Sequence, residues 1–179
     1  LGLRRKHVHM QLGFVTAILP EHSLEEVFQV AALIGYDCIE VMCWPPGEAD
    51  RRYSGITHID ITSLTANKIK KIKQLSLKYE VEISALGYYP NTLTSDTTLQ
   101  AEYVKHIKAL IRAAARLDIP VVNTFVGRDH TLSVEANWPT FLKVWQGILG
   151  QADGFGINVG IENCPMSFTQ DEWPGGKNL

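Results

Sequence analysis

Compact apolar runs alternate with longer segments of helical periodicity five times along this chain of 179 residues. The apolar runs read as strands at residues 12–19, 38–42, 81–87, 121–125 and 158–162. Such alternation predicts consecutive βα units, in which helices connect the strands of a parallel sheet. The strands around Val121 and Val159 are short and almost wholly apolar, as expected where both faces of a sheet are covered.

The helices carry their own start and stop signals. Ser23 followed by Glu26 predicts a capping box at the start of the first helix, and Gly35 predicts its end. The second helix carries five lysines from Lys68 to Lys78, which we expect to face water. The third and fourth helices are predicted at residues 99–117 and about 134–151 from their apolar stripes.

Composition excludes several classes of protein. With 45% hydrophobic and 20% charged residues, the chain is an ordinary globular domain. A formal net charge of -2 gives no attraction to nucleic acid or anionic lipid, and no apolar run approaches the roughly 20 residues that span a bilayer. We therefore expect neither nucleic acid nor membrane as a partner. The three cysteines lack paired spacing, which indicates free thiols and a cytoplasmic location.

Two architectures accept five βα units. A complete open doubly wound sheet fits this length, whereas a (β/α)8 barrel takes roughly 250 residues and would be present only in part. The first βα turn, at residues 19–23, lacks a glycine-rich phosphate loop. Polar or aromatic residues follow every strand, as in barrel enzymes, which build their sites from all the βα loops. This distribution favours the partial barrel.

Five segments then resemble a known family. They are GYDCIEVMCWP (35–45), THIDIT (57–62), ALGYYPN (85–91), VNTFVGRD (122–129) and IENCPMSFTQDEWPGGKNL (161–179). They resemble the sugar phosphate isomerase/epimerase family, xylose isomerase-like TIM barrels that include inosose dehydratases, hydroxypyruvate isomerases and ketose 3-epimerases. The resemblance implies that residues 10–179 are the N-terminal part of such a barrel. Residues 1–9 are then expected to be an extension or tag remnant.

The resemblance also implies a catalytic metal site. In that family a glutamate at the end of the fifth strand binds a divalent metal, and Glu162 matches it; an aspartate, a histidine and a second glutamate come from later strands. Proton transfer next to a carbonyl needs a cation to polarise oxygen and a carboxylate to move the proton. We therefore expect Mn, Mg, Co or Zn as cofactor and a small sugar, polyol or sugar phosphate as substrate. The 179-residue chain alone is expected to be inactive.

The candidate substrate-binding residues follow the predicted strands. They are His58, Tyr88, Asn91, Arg128, Asn163, Trp173 and Lys177. Each has a plainer interpretation, such as a loop histidine, a turn residue or a packing aromatic. Glu40 lies inside the second strand, where a buried carboxylate needs a partner, so it is either a site residue or half of an ion pair.

Two other functions are open. An apurinic endonuclease shares this barrel, but that family places histidine ligands after the third and fourth strands, where this chain has Tyr88, Tyr89, Phe125 and Val126. A non-catalytic truncated barrel is the other alternative. Its first and fifth strands would expose their edges, so it would associate, as a homo-oligomer or with a partner.

Overall fold

The computed structural model describes residues 10–47 and 55–162. The strands are β1 (Gly13–Val15), β2 (Cys38–Met42), β3 (Glu82–Gly87), β4 (Val121–Thr124) and β5 (Asn158–Ile161). The helices are α1 (Leu24–Ile34), α2 (Ala66–Tyr79), α3 (Thr97–Leu117) and α4 (Val134–Phe155), with 3-10 turns at Thr16–Ile18 and Ile61–Ser63. The predicted succession of strands and helices is confirmed.

The strands form one sheet in the order β1-β2-β3-β4-β5, and every neighbouring pair is parallel. Right-handed connections that always step in the same direction place all helices on one face of the sheet. Accordingly, α1 packs on α2, α2 on α3, and α3 on α4. A doubly wound sheet reverses its direction at a switch point, and this one does not. The described strands thus have the order of part of a barrel, and the alternative of a complete doubly wound sheet is wrong.

The hydrophobic core lies between the sheet and its helices. In β2, Ile39 and Val41 are fully buried against the helices, while Glu40 between them points to the opposite side. Val122 of β4 is buried in the same way, which leaves Asn123 for the opposite side. We call that opposite side, which carries Glu40, Asn123 and Gly160, the lumen face.

The largest differences from the predicted boundaries are at the end of the first strand and the end of the fourth helix. The first strand stops at Val15 because the chain turns there, with the amide of Leu19 donating to the carbonyl of Thr16. The buried Thr16 hydroxyl in this turn accepts a hydrogen bond from the Met42 amide at 3.0 Å. Helix α4 continues to Phe155 and ends at Gly156, which has a φ of 66°.

The signals at the ends of α1 are confirmed. The Ser23 side chain accepts a hydrogen bond from the Glu26 amide, and the Glu26 carboxylate accepts one from the Ser23 amide. Gly35 ends the helix in the left-handed region, at a φ of 90°. Cys38 and Cys43 are free and buried, as expected, while Cys164 lies outside the described residues. Among the helices described, none is long and apolar enough to cross a membrane.

Candidate functional site

A hydrogen-bonded carboxylate lies at the centre of the lumen face. Glu40 is half-buried, and its Oε1 accepts a hydrogen bond from the Tyr89 hydroxyl. Its Oε2 accepts one from Nδ2 of Asn123 at 2.7 Å. These two donors are neutral, so hydrogen bonds rather than a structural ion pair hold the Glu40 carboxylate in place. Three neighbouring strands thus contribute to one polar cluster.

Glu162 lies on the same face, directly after β5. Its backbone amide donates to the Thr124 carbonyl at 3.0 Å, which aligns it with the carboxyl end of β4. Burial raises the pKa of the Glu162 carboxyl, and the negative charge of Glu40 raises it further. A carboxyl that keeps its proton to higher pH is suited to acid and base catalysis near neutral pH.

The Tyr89 hydroxyl feels the negative charge of both Glu40 and Glu162. Burial raises the pKa of its hydroxyl, and the charge and hydrogen bond of Glu40 and the charge of Glu162 raise it further. The Tyr89 ring also packs against Phe125, with ring centroids 4.7 Å apart. The neutral phenol is therefore a fixed part of the lumen face.

The structure separates the two adjacent tyrosines. Tyr88 is 1% exposed and lies in the core, between Trp44 and His106, with ring centroids 4.8 and 4.5 Å away. Alternation along the strand then turns Tyr89 to the lumen face. The predicted ligand contact by Tyr88 finds no support in this placement, and Tyr89 is the tyrosine that faces the candidate site.

Asn91 connects two loops. Its Nδ2 donates to the Arg128 carbonyl at 2.8 Å, and its Oδ1 accepts from the Leu93 amide at 3.1 Å. Gly127, with a φ of 76°, passes so close to Asn91 that a side chain there would clash. Asn91 therefore holds the loop after β3 against the loop after β4. Substrate contacts by Asn91 and Arg128 stay predictions.

The sequence of residues 28–175 matches the family described as xylose isomerase-like TIM barrel. The chain belongs to that family. The match covers most of the chain, and the one-directional parallel sheet agrees with it. The predicted family resemblance and the partial barrel are both confirmed.

Several solved structures have a similar fold. A D-tagatose 3-epimerase-like protein shares 22% identity at a TM-score of 0.63, covering 90% of this chain and 55% of that one. The probable 3-DHS dehydratase AsbF from Bacillus anthracis shares 14% identity at a TM-score of 0.65, covering 87% and 53%. The IOLI protein with a zinc atom shares 15% identity at a TM-score of 0.60, covering 85% and 51%.

This xylose isomerase-like chain spans about half the length of the solved structures that it resembles. No curated protein sequence matches it significantly. Similarity at these identities establishes the fold and not the activity.

Glu162 fits a divalent metal as a single ligand. Carboxylate oxygens suit hard cations such as Mg²⁺ and Mn²⁺, and Glu162 lies at the strand ends where barrel enzymes build their sites. Within residues 10–47 and 55–162, no three His, Cys, Asp or Glu side chains are grouped so as to hold a metal. The described part of this family member thus offers one ligand and not a whole metal site.

His58 is held by the protein on both sides of its ring. Nδ1 lies 3.0 Å from the Thr16 hydroxyl and Nε2 lies 3.2 Å from the Leu19 carbonyl. Because a carbonyl only accepts, Nε2 carries the proton and the Thr16 hydroxyl donates to Nδ1. Burial lowers the pKa of His58. Its predicted role in substrate binding would require one of these two hydrogen bonds to break.

Stability is expected to fall when the buried histidines gain protons. Burial lowers the pKa of His58 and of His106, whose Nε2 donates to the Cys43 carbonyl at 2.8 Å. The pKa of each histidine is lower in the folded protein than in the unfolded chain, where it is about 6.5. The free energy of unfolding is therefore constant above about pH 6.5 and decreases as the pH falls below that value. Urea denaturation of wild type and of a His58→Gln/His106→Gln variant from pH 7.5 to 5 measures this. Equal pH dependence of the two proteins would contradict it.

Three predicted contact residues, Asn163, Trp173 and Lys177, lie outside the described residues. The structure does contain a separate cleft of about 480 Å³ between α3 and α4. Lys105, Lys108, Arg112 and Lys143 are among the residues that line it. This cleft is formed by the helices, on the side of the sheet away from Glu162, so we do not place the sugar site there.

Proposed function

We propose that this chain supplies the Glu162 side of the active site in a metal-dependent sugar isomerase, epimerase or dehydratase. The reaction would transfer a proton at a carbon next to a carbonyl group. One observation carries the proposal: Glu162, with a raised pKa, follows β5 on the face that also holds the Glu40 cluster. The chain spans about half the length of its structural relatives. The activity is therefore proposed for the complete barrel, by which we mean a protein that contains all eight βα units.

The described residues suit two parts of this reaction. Glu162 would contribute one carboxylate ligand to Mn²⁺, Mg²⁺, Co²⁺ or Zn²⁺, and the bound cation would polarise the substrate oxygens. A Glu162 oxygen within reach of the substrate C–H would take up or return the proton. A bound cation would lower the pKa of Glu162, and its partial burial and the charge of Glu40 act in the opposite direction, toward the range in which proton transfer is efficient.

The names of the structural relatives support this reaction class over a nuclease. They include a D-tagatose 3-epimerase-like protein and a probable dehydratase. Tyr89 and Phe125 occupy lumen positions after β3 and β4 where a nuclease of this fold would need histidines. The net charge of -2 also gives no attraction to a phosphate backbone.

A non-catalytic role in association is the second candidate. Leu12 beside β1 and Ile161 in β5 are 66% and 53% exposed at the two outer strands of the described sheet. Trp138 and Leu142 on α4 are also exposed. Exposed apolar side chains and unpaired strand edges favour contact with further strands, a second copy or another protein.

Exchange of substrate hydrogen with solvent tests the proposed reaction. The complete barrel, supplied with Mn²⁺, is incubated with D-tagatose in D₂O, and the proton signal next to the carbonyl is measured by NMR in samples from which the metal has been removed. We expect metal-dependent loss of that signal, stopped by EDTA, and no loss with Mn²⁺ alone. No exchange with D-tagatose or other small ketoses, tested with each of the four metals, would show that the proposed reaction is wrong.

A further inference from the structure

The cluster on the lumen face has a defined hydrogen-bond direction. Glu40 is a carboxylate, which accepts hydrogen bonds and donates none when ionised. The Tyr89 hydroxyl therefore uses its only proton on Oε1, and the Asn123 amide must turn its NH₂ group toward Oε2. The Asn123 side chain also donates a hydrogen bond to the oxygen of the Tyr89 hydroxyl. A donor at this oxygen lowers the pKa of the phenol. The donors of Tyr89 and Asn123 are thus used within the cluster.

Two glycines make room for this arrangement. A Cβ on Gly87 would come within 2.5 Å of Oε1 of Glu40, so any larger residue would displace the carboxylate. A Cβ on Gly160 would clash with Oδ1 of Asn123 in the same way. Both glycines lie in register beside the cluster, since Met42 pairs with Gly87 and Asn123 pairs with Gly160. The backbone of β3 and β5 is therefore fitted to the side chains of β2 and β4.

The cluster leaves only acceptors for a ligand. The remaining lone pairs belong to the Glu40 carboxylate, the Asn123 carbonyl oxygen and the Tyr89 oxygen. Glu40, Tyr89 and Asn123 each keep part of their surface exposed, on the face where Glu162 also lies. A group that binds such a surface has to donate hydrogen bonds, whereas a phosphate or carboxylate would meet acceptors and negative charge.

We propose that the Tyr89–Glu40–Asn123 cluster is a specificity determinant that binds the hydroxyl groups of a neutral sugar or polyol and rejects an anionic group at that position. Tyr89 and Asn123 contact the substrate hydroxyls, and Glu40 is the positioning residue that fixes the direction of their hydrogen bonds. This rests on the proposed function and deepens it, because it selects the hydroxyl-rich part of the substrate for this wall of the barrel.

Isosteric substitutions test the direction of the hydrogen bonds. In Glu40→Gln, the new amide nitrogen donates either to Tyr89 or to Asn123, so one of these two groups has to turn and its own donor becomes available to a ligand. In Tyr89→Phe, the phenolic oxygen is lost. The matched control is Glu82→Gln, because Glu82 is exposed at the start of β3 and bonds to Gln11 away from the cluster. Circular dichroism verifies that each variant folds.

The experiment measures binding by the complete barrel loaded with diamagnetic Mg²⁺, with D-tagatose and inorganic phosphate as probes. In wild type we expect saturable D-tagatose binding that shifts the side-chain amide signals of Asn123 in ¹⁵N NMR spectra, and no such shift with inorganic phosphate. We expect Glu40→Gln and Tyr89→Phe to raise the Kd for D-tagatose about 3- to 10-fold, as for a lost hydrogen bond between neutral groups, and Glu82→Gln to leave it unchanged. In Glu40→Gln, phosphate should begin to shift the Asn123 signals.

Three results with D-tagatose would overturn the inference. They are no binding to wild type, binding that does not move the Asn123 signals, and binding to both variants as tight as to wild type. Phosphate that shifts the Asn123 signals of wild type would overturn it as well. The proposed function fails separately: binding as expected without hydrogen exchange in D₂O would leave the specificity surface in place and remove the reaction.

Discussion

Replacement of Glu162 by glutamine is expected to lower kcat of the complete barrel by about 10²- to 10⁴-fold, the usual contribution of a positioned acid or base. Glutamine keeps the size of the side chain and loses the ability to carry a proton to or from the substrate. The backbone hydrogen bond from residue 162 to Thr124 does not involve the side chain, so β5 should stay in place. The rate of hydrogen exchange into D-tagatose in D₂O measures the effect.

The control for this substitution is Glu102→Gln on the exposed side of α3, which changes the same charge away from the lumen face. We expect full activity in the control and an unchanged midpoint of thermal unfolding in both variants. A Glu162→Gln enzyme with the activity of wild type would show that Glu162 is not the acid or base.

Truncation of Trp145 to alanine is expected to lower the free energy of unfolding by about 3–5 kcal/mol. The side chain is 1% exposed, and its indole N–H donates to the Thr92 hydroxyl at 3.1 Å. Thr92 in turn donates to the Val126 carbonyl at 2.6 Å, so Trp145 also supports the loops after β3 and β4. Loss of the ring leaves a cavity and an unfilled hydrogen bond together. Urea denaturation measures the change.

Trp138 provides the matched control on the same helix. It is 55% exposed and stacks on Phe141, which also packs against Trp145. We expect Trp138→Ala to cost about 1 kcal/mol or less, as for most exposed positions. If Trp145→Ala fails to fold, Trp145→Phe should cost about 1 kcal/mol through the lost hydrogen bond. Equal effects of Trp145→Ala and Trp138→Ala would contradict the role given to Trp145.

The fold could be predicted from sequence because its local signals agree with one another. The strand at Cys38–Met42 was predicted with the observed bounds, and the capping box at Ser23 and the stop at Gly35 mark α1. Alternation alone could not choose between barrel and open sheet, because both are built from βα units. The strand order decided this, and strand order is a long-range property that no local pattern contains.

The candidate site could be predicted only in part. Glu162 was found through the family resemblance and a strand-end position, but the partners of Glu40 come from strands distant in sequence. Tyr88 was predicted to contact the substrate, whereas Tyr89 is the tyrosine that faces the candidate site. Extending the two-residue alternation from the buried Leu86 would have put Tyr88 in the core and Tyr89 in the lumen. His58 resembled a ligand-binding histidine because its partners, Thr16 and Leu19, lie about 40 residues away.

Binding of Mn²⁺ tests the role of Glu162 most directly. Electron paramagnetic resonance of free Mn²⁺, titrated with the complete barrel, gives the affinity and number of sites without any assumption about the substrate. We predict one site in wild type and in Glu102→Gln, and at least 10-fold weaker binding in Glu162→Gln, the usual range for a disturbed metal site. Equal Mn²⁺ affinity in wild type and Glu162→Gln would contradict the assignment of Glu162 as a metal ligand.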